Sequence, residues 1–384
     1  MVRKVCVVTG YRSDYSKLKS VLDEISSRDD LELQLVVGAV HLLDDYGLTI
    51  DYIRRDGFRI DAVINNVVEG ENLSSMSKSV GLGVIDITTV LGMLRPDIVL
   101  IVGDRFEIFS AAIASALLNI PLAHIQGGEV TGTIDESIRH SITKLAHIHF
   151  PSTKESYDRI ISLGEKECNV FLVGCPAVDE ILKVNVSDKN DLLKIPFLNK
   201  LDINKPYLLV VQHPVTTEFG EGYDQMMITL NAVQEIGLQV VLLYPNPDAG
   251  STDFINAINQ FDKDNVSNVI VKKFKHLPFN DYIRLLANAS CMVGNSSSGI
   301  REACLFGVPV INIGSREASR EKSDNVINVG YNKKMIVNNI KKELGKKYKP
   351  NKLYGDGTAA KKICDVLSSI ELKGIAQKIM EDKK

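Results

Sequence analysis

The sequence predicts an α/β protein with two Rossmann-like, doubly wound domains that face each other across a cleft. Short β-branched apolar runs recur at intervals that leave room for a helix, which is typical of buried parallel strands in βα units. This pattern stops in a polar stretch at residues 183–205 and then restarts with a similar number of runs. A chain of 384 residues is also too long for one continuous core.

Each domain contains six predicted strands. Those of the first are KVCVVTG, LELQLVVGAV, DAVINNVV, PDIVLIVGD, IPLAHIQGG and HIHFPST. Those of the second are YLLVVQHP, LQVVLLYPNPD, NVIVKKF, ASCMVGN, VPVINIG and NVINVG. We therefore predict domains at residues 1–183 and 205–364, with residues 365–384 packing back on the first. Folds of this class bind ligands at the carboxyl ends of their strands.

Composition and charge exclude several classes of protein. The net charge of −3, from 45 basic and 48 acidic residues, argues against a basic nucleic-acid-binding surface. The six cysteines form no CxxC pair and mostly lie in apolar runs, so neither a disulfide framework nor a zinc site is predicted. The first strand begins within three residues, and the apolar stretch 111–125 is too short to span a bilayer. We expect a cytoplasmic protein with no membrane partner.

The strongest local motif is GNSSSGIRE, where a buried strand ends and an apolar helix is predicted to begin near Ile300. Small residues let main-chain N–H groups approach an anion, and a helix amino terminus attracts negative charge. This predicts a phosphate site at Ser296 and Ser297. Glu302 would repel a phosphate, so we expect it to accept hydrogen bonds from ribose hydroxyls. The alternative is a glycine-serine turn that caps an ordinary helix.

In the first domain, charged residues follow two neighbouring strands. Asp104 and Arg105 come after one strand, and Glu129 comes after the next. Both positions are at the carboxyl ends of strands, where α/β folds place their ligands.

Downstream, GTIDESIRHSITKLAH predicts a helix that is capped near Asp135. Asp135 with Arg139, and Glu136 with His140, form pairs at i,i+4. Surface salt bridges explain these pairs about as well as catalysis does. The convergence of three carboxyl-bearing segments on one cleft favours acid/base work on a small polar substrate.

Four further turns carry candidate residues. The first strand is followed by YRSDYSK, which offers Arg12, Ser16 and Lys17 as phosphate contacts at a helix start. His213 follows the first strand of the second domain and is either a phosphate donor or a proton carrier. The second strand of each domain ends near a further candidate, His41 or Asn246.

No metal or redox cofactor is predicted. The histidines are not spaced with cysteines or acids as ligand sets, and no Walker A motif is present. No GxGxxG follows the first strand, which argues against a dinucleotide cofactor.

Together these motifs resemble the hydrolysing UDP-N-acetylglucosamine 2-epimerases of sialic acid biosynthesis, which include the epimerase half of an animal bifunctional enzyme. The matching segments are YRSDYSKL, HLLDDYG, GDRFE, GGEVTGTIDESIRHSITKLAH, QHPVTTE, PNPDAGS, GNSSSGIRE, VINIGSR and LYGDG. The resemblance implies the glycosyltransferase type B fold and conversion of UDP-N-acetylglucosamine to N-acetylmannosamine and UDP. It also implies catalysis without metal or nicotinamide, and a homodimer or homotetramer.

The resemblance also assigns residues. The nucleotide and its phosphates would contact Arg12, Ser16, Arg105, His213, Asn246, Ser296, Ser297, Glu302 and Arg316. The reacting sugar would lie among His41, Asp104, Glu129, Asp135, Glu136, Arg139 and His213. The implied reaction eliminates UDP to give 2-acetamidoglucal, to which water then adds.

One position departs from the family pattern. At Gln126 the animal enzyme and the non-hydrolysing relatives carry a glutamate with an assigned catalytic role. An amide cannot transfer protons, so the task falls to Glu129, Asp135 or Glu136, or it is not essential.

Three rival functions remain open from the sequence. A hydrolysing epimerase of UDP-2,4-diacetamido-2,4,6-trideoxyglucose, in legionaminic acid synthesis, would share the fold and most contacts. A type B glycosyltransferase would leave Glu129, Asp135 and Glu136 without an obvious task. A catalytically silent nucleotide-sugar sensor would need only the second-domain phosphate site.

Overall fold

The protein forms two compact units. The computed structural model describes residues 2–44, 47–68, 73–131, 134–196, 198, 200–245, 250–264, 269–275 and 277–379. The first unit comprises Met1–Val130, Ile134–Glu180 and Tyr354–Lys384. The second consists chiefly of Ile181–Leu353.

A six-stranded parallel sheet forms the centre of the first unit. Its strands are β1 (Arg3–Thr9), β2 (Leu31–Gly38), β3 (Ala62–Ile64), β4 (Ile98–Val102), β5 (Leu122–Ile125) and β6 (Ile148–Phe150). Their order is β3-β2-β1-β4-β5-β6, and every neighbouring pair is parallel. Its helices are α1 (Arg12–Ser26), α2 (Ile50–Arg55), α3 (Leu73–Leu94), α4 (Phe106–Leu117), α5 (Ile134–Leu145), α6 (Lys154–Ser162), α7 (Pro176–Ile181) and α14 (Ala359–Ser369). Each predicted run contains one strand.

Strand β1 shows why these runs are continuously apolar. Val5 and Val7 join a core cluster with α1 and α14, whereas Cys6 and Val8 join the cluster on the opposite face. Side chains alternate between the faces of a strand, and here both faces are covered by helices. A strand of this kind therefore has no polar face.

The second unit repeats the topology. Its strands are β7 (Tyr207–Val211), β8 (Gln239–Leu243), β9 (Ile270–Phe274), β10 (Cys291–Gly294), β11 (Val310–Ile313) and β12 (Val326–Val329). Its helices are α8 (Gly222–Ile236), α9 (Ser251–Asp264), α10 (Phe279–Asn288), α11 (Ser297–Arg301), α12 (Ala303–Phe306) and α13 (Lys333–Glu343). The sheet order is β12-β11-β10-β7-β8-β9, so the strand order reverses between β7 and β10. In the first unit the corresponding reversal lies between β1 and β4. Ligands of doubly wound sheets bind at this point.

The chain returns to the first unit at Tyr354, ahead of the predicted boundary at residue 364. The carboxylate of Asp179 accepts hydrogen bonds from the N–H groups of Ala359 and Ala360, at 3.1 and 2.7 Å, and so caps α14. Ile363 and Leu367 of α14 are fully buried in the cluster that includes α1. The whole of α14 therefore belongs to the first unit.

Helix α3 is long and apolar, a feature that the sequence analysis did not anticipate. Among the described residues, Ser74–Leu94 is the one helix long and apolar enough to span a membrane by those two criteria. Ile87 and Leu91, each 1% exposed, pack in a core cluster with Ile108 of α4. One face of α3 thus packs on the core of the first unit, whereas Ile85 and Met93 on the helix are exposed.

Candidate active site

The carboxyl edge of the first sheet brings three predicted residues together. Arg139 on α5 is only 1% exposed, and its guanidinium forms an ion pair with Asp104, which follows β4. Its Nη1 also donates to the main-chain oxygen of Glu129 at 2.7 Å. The sequence suggested a pair between Arg139 and Asp135 at i,i+4, and the structure adds a partner that the sequence did not suggest, Asp104. Arg139 thereby joins the segments that follow β4 and β5.

The carboxylates of this region differ in exposure. Glu129 is 3% exposed, Glu136 is half-buried, and Asp135 is exposed in the first turn of α5. Glu136 Oε1 lies 3.8 Å from His140 Nε2, as the i,i+4 spacing predicts. Burial, with the nearby charge of Arg139, lowers the pKa of His140. Different exposure gives these acids different access to water and to protons.

The turn after β5 is fixed by its glycines. Gly128 has a φ of +80°, and a Cβ there would lie 2.3 Å from the main-chain oxygen of Ser156. Gln126 also has a positive φ, +65°, and is 1% exposed. Its Nε2 donates to Cys175 Sγ at 3.0 Å. The side-chain amide of Gln126 therefore contacts a buried thiol.

Arg105 has partners that sequence reasoning missed. Its Nε lies 3.1 Å and its Nη2 3.0 Å from the carboxylate oxygens of Glu107, and its guanidinium lies 4.0 Å from the centre of the Tyr11 ring. Glu107 is 3% exposed, although its position two residues after Arg105 gave no sign of a shared role.

The start of α1 lies at the same sheet edge. Arg12 is the first residue of α1 and is exposed. Ser16 Oγ donates to the main-chain oxygen of Ser13 at 2.9 Å. A Cβ added to Gly103, after β4, would lie 3.9 Å from Lys17 Nζ, so Lys17 reaches the turn that carries Asp104.

His41 does not have the surroundings expected of a proton carrier. It is fully buried, and its ring nitrogens bond to Thr9 Oγ1 at 2.9 Å and Thr49 Oγ1 at 2.7 Å. Burial lowers its pKa to about 4. Both nitrogens are bonded to hydroxyls of the protein, an arrangement that is typical of a structural histidine. The place of His41 beside the reacting sugar stays a prediction.

In the second unit, Asn295 joins the loops after β7 and β10. Its Nδ2 donates to the main-chain oxygen of His213 at 2.8 Å, and its Oδ1 accepts from His213 N–H at 2.6 Å. The preceding Gly294 has a φ of +134°, and a Cβ there would lie 2.0 Å from the oxygen of Val211. Asn295 stands inside GNSSSGIRE but was not singled out from the sequence.

His213 and Arg316 flank this link. His213 is 6% exposed, and burial, with the charge of Arg316, lowers its pKa to about 3. The ring is therefore neutral at pH 7 and can donate a hydrogen bond but not a charge. Arg316 Nη1 donates to the main-chain oxygen of Asn295 at 3.1 Å and lies 2.8 Å from Glu317 Oε1.

The serine motif forms a short helix that begins earlier than predicted. Helix α11 begins at Ser297, three residues before the expected start, and ends at Arg301. Ser296 is its N-cap and lies, like Ser297, half-buried. Glu302 separates α11 from α12, so it does not lie in the first turn of one long helix. Asn246, the remaining predicted contact, lies outside the described residues.

Comparison with known proteins identifies the family. The sequence model described as UDP-N-acetylglucosamine 2-epimerase matches residues 23–368. The chain belongs to the UDP-N-acetylglucosamine 2-epimerase family. The prediction that it is an epimerase of this family is therefore confirmed.

Several relatives of this epimerase are similar over nearly their whole length. A Legionella pneumophila UDP-N,N'-diacetylbacillosamine 2-epimerase (hydrolyzing) is 38% identical and covers 97% of both chains. A UDP-N-acetylglucosamine 2-epimerase of Neisseria meningitidis serogroup B is 31% identical and covers 96% of both. The Escherichia coli polysialic acid biosynthesis protein P7 is 32% identical and covers 88% of this chain and 85% of its own.

Solved structures agree on the fold. A Neisseria meningitidis UDP-GlcNAc 2-epimerase bound to UDP-GlcNAc gives a TM-score of 0.78 at 19% identity, covering 95% of this chain and 99% of that one. With the two parallel six-stranded sheets, this confirms the predicted fold class of two Rossmann-like domains of the glycosyltransferase type B fold.

The described part of the epimerase contains no cluster of three or more His, Cys, Asp or Glu side chains that could hold a metal ion. All six cysteines are free thiols, and only Cys168 is exposed.

Proposed function

We propose that this epimerase converts UDP-N-acetylglucosamine to N-acetylmannosamine and UDP by hydrolytic 2-epimerisation, as the first step of sialic acid synthesis. The observation that carries the proposal is the meeting of Asp104, Arg139 and Glu129 at the carboxyl edge of the first sheet. The Neisseria relative and the polysialic acid biosynthesis protein support this choice of substrate. We also propose a cytoplasmic homodimer or homotetramer.

The chemistry of the substrate explains the need for carboxylates. The hydrogen on the acetamido-bearing carbon is not acidified by a carbonyl group, so its loss must accompany departure of UDP. Positive charge then develops at the anomeric carbon, where a carboxylate stabilises it. Arg139 holds Asp104 through a charge-assisted contact, so that this carboxylate is oriented before the substrate reacts.

The departing diphosphate needs cations and donors. In this proposal Arg105 and Arg12 of the first unit, and Ser296, Ser297 and Arg316 of the second, supply them. Neutral His213 donates a hydrogen bond to the same group, since its lowered pKa, about 3, excludes a positive charge at pH 7. The diphosphate can thus leave without a proton from His213.

Hydration completes the reaction. Water adds to the anomeric carbon of 2-acetamidoglucal, while the neighbouring carbon takes a proton on the opposite face and acquires the manno configuration. Glu129, Asp135 and Glu136 are the proposed proton carriers for this step. Gln126 is not among them because a side-chain amide neither gains nor loses a proton as an acid or base at neutral pH.

A second candidate substrate is UDP-2,4-diacetamido-2,4,6-trideoxyglucose. The relative with 38% identity carries the name of a diacetylbacillosamine enzyme, whereas the Neisseria enzyme is 31% identical. The two sugars differ at carbons 4 and 6, so the proposed elimination chemistry is the same for both.

Proton NMR of the purified enzyme in deuterium oxide distinguishes the two substrates. With UDP-N-acetylglucosamine we expect free N-acetylmannosamine, deuterated next to its anomeric carbon, together with UDP. The diacetamido sugar nucleotide is tested in parallel under the same conditions. Turnover of the diacetamido compound alone would establish the second candidate, and turnover of neither would contradict the proposed function.

A further inference from the structure

Arg105 is held from two sides within the first unit. The carboxylate of Glu107 accepts hydrogen bonds from Arg105 Nε and Nη2. The ring of Tyr11 lies against the face of the Arg105 guanidinium, with its centre at 4.0 Å. A bidentate carboxylate contact and an aromatic stack together fix the plane of the guanidinium. Free arginine side chains occupy many rotamers, so this arrangement removes most of that freedom before any ligand arrives.

The pair is buried unequally. The side chain of Glu107 is 1% exposed, whereas that of Arg105 is 29% exposed. A Cβ added to Gly10, in the turn between β1 and α1, would lie 2.8 Å from Glu107 Cβ, so this turn packs directly on the glutamate. The anion therefore lies inside and the cation faces outward. An ion pair that only stabilised the surface would not require the acid to be buried and the base to be accessible.

A second buried acid lies within electrostatic range of the same guanidinium. Asp14 of α1 is 1% exposed, and its electrostatic neighbours are Lys17, Arg105 and Glu107. Its Oδ2 is buried and has no hydrogen-bond partner in the described part of the chain. Two buried acids thus lie near two basic side chains at the carboxyl edge of β1 and β4, where a doubly wound sheet binds its ligand.

We propose that Glu107 is a positioning residue that holds Arg105 in the orientation that receives the negative charge of the departing diphosphate. This inference rests on the proposed function and adds a residue to it. Glu107 does not touch the substrate; it acts through Arg105 alone. A preorganised cation stabilises developing charge without a reorganisation cost during the reaction.

A double-mutant cycle tests this dependence. Arg105→Ala should lower kcat about 100-fold, the scale of losing one electrostatic contact to a developing charge. Glu107→Gln should lower kcat about tenfold, because the charge-assisted contact to Arg105 is weakened. In the Arg105→Ala background, Glu107→Gln should have no further effect, since Glu107 has lost the group through which it acts.

Calorimetric titration of UDP into the wild type, the two single variants and the double variant provides a readout that does not depend on turnover. We expect each single variant to bind UDP more weakly and the double variant to match Arg105→Ala. Glu343→Gln is the matched control, because Glu343 is a glutamate of the second unit, 1% exposed, which pairs with Lys346. Thermal unfolding of every variant reports whether the substitution has damaged the fold.

The outcomes separate the two proposals. Independent, multiplicative effects of the two substitutions would overturn the positioning role, as would Glu107→Gln with wild-type kcat and UDP affinity. Failure of the wild type to bind UDP would overturn both proposals. If the wild type binds UDP but does not turn over either sugar nucleotide, the proposed function fails. The UDP affinities of the single and double variants then still decide whether Glu107 acts through Arg105.

Discussion

Arg139 and Asp104 form an ion pair in which the cation is almost fully buried and the carboxylate side chain is 22% exposed. The buried guanidinium is oriented by the oxygen of Glu129, and the carboxylate reaches towards solvent. A carboxylate that is held on one side and accessible on the other is suited to act on a bound sugar.

Asp104→Asn should lower turnover about 100- to 10,000-fold while leaving UDP affinity within about twofold of the wild type. The amide retains the shape of the side chain but cannot take a proton or balance positive charge. A coupled rate assay and calorimetric titration of UDP measure the two effects. Asp158→Asn, which removes an exposed i,i+4 partner of Lys154, is the control. Near-normal turnover of the Asp104 variant would remove this residue from the mechanism.

Arg139→Ala should destabilise the first unit by about 3–5 kcal/mol, the usual cost of removing one partner of a buried pair. The loss includes the hydrogen bond to the oxygen of Glu129, which is left without its donor. Urea unfolding measures the change. A cost below about 1 kcal/mol, typical of a surface pair, would show that the pair is solvated in solution.

Asp14 should make stability depend on pH. Burial raises its pKa from 3.8 to about 6, so its contribution to the free energy of unfolding is present at low pH and is lost as the pH rises through 6. Asp14→Asn should therefore be more stable than the wild type at pH 8, by about 3 kcal/mol, and nearly equal to it at pH 4. Paired urea titrations at the two pH values measure the difference. A difference that does not change with pH would contradict the raised pKa.

Three buried histidines should make the protein sensitive to acid. Burial lowers the pKa of His41 to about 4, and those of His124 and His213 to about 3, from 6.5. Below pH 6.5 the unfolded chain binds protons that the folded chain does not, so the free energy of unfolding falls as the pH drops towards 4. Thermal unfolding between pH 7 and 4.5 measures the fall. His124→Gln should reduce the slope, and an unchanged slope in this variant would show that His124 is not responsible.

The twelve strands could be predicted because parallel strands covered on both faces are continuously apolar. Their order within each sheet could not be read from the runs, since it depends on which helices cross which face. The start of α5 near Asp135 followed from the capping signal in the sequence. Helical spacing grouped Arg139 with the polar residues of α5. No local pattern reveals that Asp104, some 35 positions earlier, lies beside it.

The residues that support the site were missed for the same reason. Glu107 and Asn295 stand next to predicted site residues, yet their roles depend on groups that the fold brings to them: the guanidinium of Arg105 and the main chain of His213. His41 is a further example. Its place at the end of a strand suggested chemistry, and the two threonine hydroxyls bonded to its ring nitrogens come from segments that no local pattern identifies.

The closure of the first unit by α14 has a consequence for biosynthesis. Asp179 precedes the second unit along the chain, and the helix that it caps follows that unit. A ribosome therefore completes residues 181–353 before it makes the helix that covers Leu18 and Leu22 of α1. Domains commonly fold in order of synthesis. In this protein the core of the amino-terminal unit lacks α14 until the second unit has been synthesised, so the second unit can complete its core first.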